Sequence, residues 1–347
     1  MKLLAISGEI NPENIGGAEA HFVEVLKRVT PKFDRVTVLG KISYPVISNL
    51  NWLTYSLWVI PLALKEKFDL IWLKQEYLVW AGFILKIITG KPVYVTCQNP
   101  NLATQEWVGK GAAAKAFQKY LGPAFNSFLM FPLRYMDTVA AVSRYSANLT
   151  KKYGANKIVV IPNGVDIEKY PIHNTKYIMH KPFRIITTSS LIPRNGIDTL
   201  IKACALLDFD FELTIAGDGP ERAGLEKLAQ GLPVKFLGRV PPGQIPNLLM
   251  TSDLFIRPSR FEGFGNSFIE AMAAGVPVIG TPVGGITDFL TDGKTGVLVP
   301  PDDPPALAAA ISRKESYVKS ALELVQKKYT WDNIANQVFE QMQRLCS

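Results

Sequence analysis

The stretch that decides the reading runs Pro258-Ser259-Arg260-Phe261-Glu262-Gly263-Phe264-Gly265-Asn266-Ser267-Phe268-Ile269-Glu270-Ala271-Met272-Ala273-Ala274-Gly275-Val276-Pro277-Val278. It leaves an apolar strand, crosses a loop holding two glycines, and enters a helix near Asn266 or Ser267 before the next strand at Val278. A loop of this kind turns several backbone N–H groups and the positive end of a helix dipole toward its occupant, which suits a phosphate. Glu262 and Glu270 stand eight positions apart, one in the loop and one a turn into the helix. Two carboxylates beside an anion are costly unless they accept hydrogen bonds from hydroxyls, so both are assigned to sugar or ribose hydroxyls. A glycine loop alone would favour a structural turn before a capped helix, and it is the length of the whole string that argues for a site.

Outward from this stretch, short apolar runs alternate with helical patterns along the chain. The first half carries Leu3–Ser7, Arg35–Leu39, Leu70–Leu73, Val93–Cys97, Thr138–Ser143 and Ile158–Pro162, with helical spacing at Ala18–Val29, Tyr77–Ile88 and Lys115–Tyr135. The second half repeats the scheme with Arg184–Thr188, Glu212–Ala216, Val234–Leu237, Leu254–Arg257, Val278–Gly280 and Val297–Val299. Short apolar runs fed through helices predict parallel sheets covered on both faces. The expected fold class is therefore α/β, with two doubly wound Rossmann-like domains. A boundary is expected after Pro162-Asn163-Gly164-Val165-Asp166, where an apolar strand meets turn chemistry. Residues 1–166 form the first domain on this reading, 167–182 a linker and 183–330 the second domain. Trp331–Leu345 has helical spacing at Ile334, Val338 and Met342.

Composition narrows the function classes. With 48% hydrophobic and 20% charged residues, and 26 Gly and 24 Pro spread along the chain, disorder is excluded as the dominant state. The three cysteines, Cys97, Cys204 and Cys346, have no metal-knuckle or CxxC spacing, which argues against a disulfide scaffold or a cysteine zinc site. Lys2–Ser7 lacks the longer apolar region of a signal peptide, so a cytoplasmic location is expected. Trp52–Leu64 and Leu78–Ile88 are too short to span a bilayer, and the second carries Lys86. The net charge of +8 is uneven: residues 1–165 hold 19 Lys and Arg against 10 Asp and Glu, whereas 166–347 hold 19 against 20. No basic segment interleaved with aromatics forms a recognisable nucleic-acid module. No GxGxxG opens the first helix, which disfavours a dinucleotide site. Asp208-Phe209-Asp210 has the form of a DxD metal motif, but it precedes the Glu212–Ala216 strand rather than following one, and reads as a turn. No metal site is expected.

At the EGFG…E string the chain resembles the family-4 glycosyltransferases, nucleotide-sugar-dependent enzymes of the GT-B fold. Further matches are Gly16-Gly17-Ala18-Glu19, Ile161-Pro162-Asn163-Gly164-Val165-Asp166, Gly217-Asp218-Gly219-Pro220, Phe236-Leu237-Gly238-Arg239-Val240 and Val283-Gly284-Gly285. The resemblance implies two domains facing a cleft, with acceptor bound by the N-terminal domain and nucleotide sugar by the C-terminal one. It also implies that the final helix, 331–347, returns to the N-terminal domain, and that transfer retains the anomeric configuration without a metal or other cofactor. Carried over by position, Glu262 lies against the donor sugar and Glu270 binds the ribose hydroxyls. The amides of Gly265, Asn266 and Ser267 hold the pyrophosphate, with Gly263 and Phe264 in the same donor-binding loop. The backbone of Arg239 and Val240 meets the base, and Gly16 and Gly17 let the first helix approach the donor.

The chain also departs from the family. Where relatives offer an Arg and a Lys to the diphosphate in a pattern like GRLxxxKG, this sequence reads Ser189-Ser190-Leu191-Ile192-Pro193-Arg194-Asn195-Gly196. Ser190 and Asn195 stand at the two cation positions, and Arg194 is next to the second. Where many relatives place a His after the fourth strand, Val95-Thr96-Cys97-Gln98-Asn99 puts Gln98, which hydrogen-bonds a hydroxyl but is no general base. His21, His173 and His180 read as structural or solvated.

The expected activity is a retaining transfer of a hexose from a nucleoside diphosphate sugar to a glycan or glycolipid hydroxyl, as in cell-envelope polysaccharide or glycolipid synthesis. The alternative is a glycosyltransferase-like binding subunit without catalysis, favoured by Ser190 and Asn195 and opposed by the retained Glu262 and Glu270. The basic first half also holds five of the six tryptophans, Trp52, Trp58, Trp72, Trp80 and Trp107. Lys110, Lys115 and Lys119 run into Phe125, Phe128, Leu129, Met130 and Phe131, cations joined to apolar bulk. This combination predicts peripheral attachment to an anionic membrane face bearing a lipid-linked acceptor, although helices of a doubly wound domain bury apolar faces too.

Overall fold

Each apolar run becomes a strand, and the strands form two parallel sheets. The computed structural model describes residues 1–7, 17–40, 51–98, 100, 122–171 and 179–347. In it the chain divides into one unit of Met1–Pro162 with Asp332–Ser347 and a second of Asn163–Trp331, so the 167–182 stretch falls within the second unit.

The first unit contains β1 (Lys2–Ile6), β2 (Arg35–Leu39), β3 (Leu70–Leu73), β4 (Val93–Cys97), β5 (Thr138–Ala141) and β6 (Ile158–Val160), in the order β2-β1-β3-β4-β5-β6. Every residue of β3, β4 and β5 is buried. Helices on both faces explain why these strands read as unbroken apolar runs. The helical pattern expected over Lys115–Tyr135 resolves, where described, into a helix at Gly122–Met130 and a 3₁₀ turn at Phe131–Tyr135. The helix Trp331–Arg344 buries Ile334, Val338 and Met342. It is tied to the first unit by Asp332 on Arg28 at 2.6 Å and by Phe339 edge-on to Phe33 at 5.5 Å.

The second unit contains β7 (Phe183–Thr188), β8 (Phe211–Ala216), β9 (Val234–Gly238), β10 (Leu254–Ile256), β11 (Val278–Gly280) and β12 (Val297–Leu298), in the order β12-β11-β10-β7-β8-β9. Ile185, Leu213, Ile256 and Ile279 from four of these strands pack with Leu200 and Ile201 of the Ile197–Cys204 helix and Leu307 and Ile311 of the Pro304–Arg313 helix. The Pro162-to-Asp166 motif has a packing reason. Val165 bridges Thr330 in parallel, and a β-carbon at Gly164 would stand 2.7 Å from the Trp331 ring.

Strand order reverses between β1 and β3 in the first sheet and between β7 and β10 in the second. Such switch points open a crevice at the carboxyl ends of the strands. In the first sheet that position is held by Lys74, whose N–H donates to the Ile6 carbonyl at 2.9 Å and whose side chain is fully buried. Its Nζ lies 3.0 Å from Glu19 Oε1, in the first turn of the Gly17–Val29 helix. Removing Glu19 takes away one partner that offsets the desolvation of the buried Lys74 charge. Glu19→Ala is therefore expected to cost about 3 kcal/mol, whereas Lys74→Met, which removes the buried charge itself, costs distinctly less. Urea unfolding followed by tryptophan fluorescence measures this, because five of the six tryptophans lie in residues 1–165.

Candidate active site

The loops leaving β7, β10 and β11 rest on one another through main chain. Gly196, at φ +69°, has the Pro258 carbonyl oxygen 2.0 Å from where a β-carbon would be, so only glycine lets the loops after β7 and β10 touch. Next to it the Arg260 N–H donates to the Arg194 carbonyl at 2.7 Å, and the Arg260 guanidinium binds the Pro193 carbonyl, Asp198 at 2.9 Å and Asp302 at 2.6 Å. Gly284, at φ +55°, brings its backbone so close to Glu262 that a β-carbon would sit 1.7 Å from the Glu262 carbonyl oxygen. The following N–H, of Gly285, donates to that same oxygen at 3.1 Å. The Asn195-Gly196 and Val283-Gly284-Gly285 motifs thus fix the backbone that carries Glu262.

The Glu262 carboxylate is held on both oxygens. Oε1 accepts the N–H groups of Gly263 at 3.0 Å and Phe264 at 3.4 Å, and Oε2 accepts from the guanidinium of Arg257. The second guanidinium nitrogen of Arg257 donates to Ser267 Oγ at 2.8 Å, in the first turn of the Asn266–Ala273 helix. That helix starts directly after Gly265 and points its amino end into the loop. Asn266 Oδ1 accepts from the buried Asn163 amide at 2.8 Å, which ties the helix start to the Pro162-to-Asp166 motif.

Glu270 lies one turn further on. Burial pushes its carboxyl up from the ordinary 4.5 to about 7, while the positive charges of Arg257 and Lys169 act against the rise. The phenol of neighbouring Tyr170 is also pushed up, first by burial and then by the charges of Glu270 and Asp166. A group poised near neutrality in a polar crevice is fitted to accept hydrogen bonds from hydroxyls.

The structure brings Arg194, Asn195, Glu262, Gly263, Phe264, Gly265, Asn266, Ser267 and Glu270 to the carboxyl edge of the second sheet. Arg239, exposed, and Val240, half-buried, follow β9 on the same edge. Two of these have other work besides. Asn195 is buried and donates its amide to the Ser190 carbonyl at 2.8 Å, bracing its own loop. Phe264 buries its ring against Phe289 at 5.4 Å and Tyr329 at 5.9 Å, which leaves its backbone for the loop. Gln98 and Gly17 belong to the first unit. The Gln98 N–H donates to the buried Glu76 carboxylate at 3.1 Å, and Gly17 opens the first helix. Gly16 and His173 lie outside the described residues. His21 is buried, and His180 Nδ1 sits 2.8 Å from Asp253. Asp208-Phe209-Asp210 precedes β8, with Phe209 packed on Phe183 at 5.9 Å. Among the described residues no three His, Cys, Asp or Glu side chains come together in a way that could hold a metal ion.

Sequence reasoning missed Arg257, Asn163 and the pair Lys169 and Tyr170. Arg257 left a signal as a charge ending the apolar run Leu254-Phe255-Ile256, and Asn163 as a member of the Pro162-to-Asp166 motif, which did not reveal its contact with Asn266.

Comparison with known proteins agrees with this fold. Among solved structures, sucrose-phosphate synthase from Thermosynechococcus elongatus superposes with a TM-score of 0.83 at 20% identity, covering 99% of this chain and 98% of that one. HepE of Anabaena, solved in complex with UDP-glucose, superposes with a TM-score of 0.74 at 22% identity, covering 99% and 100%. An uncharacterized glycosyltransferase of Methanocaldococcus jannaschii is 33% identical over 205 residues, 52% of this chain and 53% of the relative. The chain spans about half the length of the curated relatives it matches. Residues 15–169 match the family profile described as Glycosyltransferase Family 4, and residues 182–314 match that of Glycosyl transferases group 1. With profiles matched in both halves and two parallel Rossmann-like sheets, the chain belongs to the GT-B-type glycosyltransferase superfamily.

Proposed function

We propose that the chain transfers a hexose from a nucleoside diphosphate sugar to a hydroxyl of a glycan or glycolipid, with retention at the anomeric carbon. The observation that carries this is the pairing of Glu262 and Glu270 around the first turn of the Asn266–Ala273 helix, at the switch point of a parallel sheet. The helix amides receive the diphosphate, Glu270 the ribose hydroxyls and Glu262 the hydroxyls of the sugar. The bond from the anomeric carbon to the diphosphate breaks as the acceptor oxygen bonds to that carbon on the same face, and a donor phosphate oxygen takes the acceptor proton. The protein's part is positioning and charge stabilisation, so Gln98 serves as a hydrogen-bonding residue without acting as a base.

We further propose that the first unit rests on an anionic membrane face. No helix among the described residues is long and apolar enough to cross a membrane. The helix Val79–Thr89 and the segment Gly122–Tyr135 expose a joint apolar face: Ile87 is 68% exposed, Ile88 56% and Phe128 57%. Trp80 stacks among Phe83, Phe128 and Phe131, and Arg134 covers the Phe131 ring at 4.3 Å. Aromatic rings edged by cations suit the headgroup layer of a bilayer. Leu129 and Met130, first read with this face, are buried in the core. Lys110, Lys115, Lys119 and Trp107 lie outside the described residues.

Turnover is tested first. Glu262→Gln is expected to lower transfer roughly 100-fold or more with the fold intact, and transfer in the wild type is expected to persist in EDTA. Intact nucleotide-sugar binding with no transfer to any glycan or lipid-linked acceptor would instead favour the binding-subunit reading.

Glu270 gives a pH test. Ribose hydroxyls donate to its ionised form, so affinity for a nucleoside diphosphate is expected to rise from pH 6 to pH 8 and to lose that rise in Glu270→Gln, as titration calorimetry reads. Stability runs the other way. The folded carboxyl holds its proton up to about 7 and the unfolded one only to 4.5, so its contribution is full below 4.5 and is lost as pH rises to about 7. The melting temperature of Glu270→Gln should therefore gain on the wild type over that interval.

Co-sedimentation tests the membrane. The wild type is expected to pellet with anionic vesicles, less so as salt rises, and the double substitution Ile87→Ser, Phe128→Ser is expected to stay in solution.

A further inference from the structure

In the second unit Arg257 holds a positive charge at a buried position. It follows three fully buried strand residues and is itself buried, and desolvating a guanidinium costs several kcal/mol unless it is paired. Its contacts join three parts of the site. It pairs with Glu262 of the loop, donates to Ser267 in the first turn of the Asn266–Ala273 helix, and lies 5.2 Å from the centre of the Phe268 ring. Its charge also reaches Glu270, in the next turn. Two hydrogen bonds in a fixed fork hold a carboxylate and a hydroxyl in one relative orientation, which a lysine ammonium does not reproduce.

The loop after β7 supplies the contrast. Its two cation positions hold Ser190, which is exposed, and Asn195, whose amide is given to the Ser190 carbonyl. β7 and β10 are hydrogen-bonded neighbours at the switch point, so the ends of both strands border the same crevice. The two positions themselves are neutral, with Arg194 beside the second of them, and a further positive charge is buried at the end of β10.

We propose that Arg257 is a positioning residue of the transfer reaction: it orients the Glu262 carboxylate against the donor sugar and provides, from beneath the helix start, a fixed buried positive charge where the two cation positions of the loop after β7 hold Ser190 and Asn195. It acts through Glu262 and Ser267 without touching the donor. The inference rests on the assignment of this crevice to a nucleoside diphosphate sugar and adds to it the residue that sets its geometry and charge.

The test uses the full chain and whichever of UDP-glucose, GDP-mannose and ADP-glucose raises its melting temperature most, with release of nucleoside diphosphate to water as the turnover. Arg257→Met is expected to lower kcat about 100-fold with KM little changed. Arg257→Lys, which keeps the charge and loses the fork, is expected to fall between the two. Ser190→Arg in the Arg257→Met background is expected to recover part of kcat, because it returns a cation to the other strand end. A role confined to packing predicts a lowered melting temperature with no recovery from Ser190→Arg, and that result overturns the proposal, as does wild-type kcat in Arg257→Met. If none of the three nucleotide sugars or their nucleoside diphosphates binds the wild type, the donor assignment fails, and this inference fails with it.

Discussion

The site depends on main chain lying directly against main chain at the carboxyl edge of the second sheet. Gly196 rests on the Pro258 carbonyl and Gly284 on the Glu262 carbonyl, each at a distance that leaves no room for a side chain. Backbone packed this closely cannot drift, so the loop from Pro258 to Gly265 is held from the β7 side and the β11 side together. Glu262 inherits its position from those two contacts before any side chain is considered. The Arg260 clamp onto Pro193, Asp198 and Asp302 then fastens the loop from its outer side.

Electrostatics follows from that geometry. A helix start, two glutamates and a single buried arginine share a small volume, and their charges constrain one another. The carboxylate of Glu262 is matched by Arg257 and two loop amides, whereas Glu270, further into the helix and desolvated, is left near neutrality. Two glutamates of identical chemistry thus stand in different surroundings, one paired with a guanidinium and one desolvated one turn into the helix.

The first unit solves its switch point differently. No crowd of glycines is needed among its described residues. Instead a buried lysine at the end of β3 reaches the first turn of the opening helix through Glu19, which places a charge pair where the second unit has loop on loop. The Gly16-Gly17-Ala18-Glu19 motif therefore carries a packing role in Glu19 whatever its glycines do. The returning Trp331–Arg344 helix is bound to Arg28 of the same opening helix and to Phe33 just after its following turn.

What the sequence determined by itself is whatever depends on local pattern. The central strands β3, β4, β5 and β10 were legible because a strand buried on both faces must be continuously apolar, the partly exposed β2, β6 and β9 because short apolar runs alternate with helical spacing, and the Asn266 helix start because glycine loops and helix starts are short-range events. Val283-Gly284-Gly285 was visible as a motif, but its reason was not, since the carbonyl it accommodates lies about twenty residues away in the chain. The tertiary structure alone decided three things. It showed that Asn195 is spent on its own loop, that Leu129 and Met130 face the core while Phe128 faces outward, and that Arg257 joins Glu262 to Ser267. Each depends on which groups meet across strands and loops, and on how much water their meeting excludes. A one-dimensional pattern carries neither the partner nor the solvent, and these are what set the energy of a buried charge.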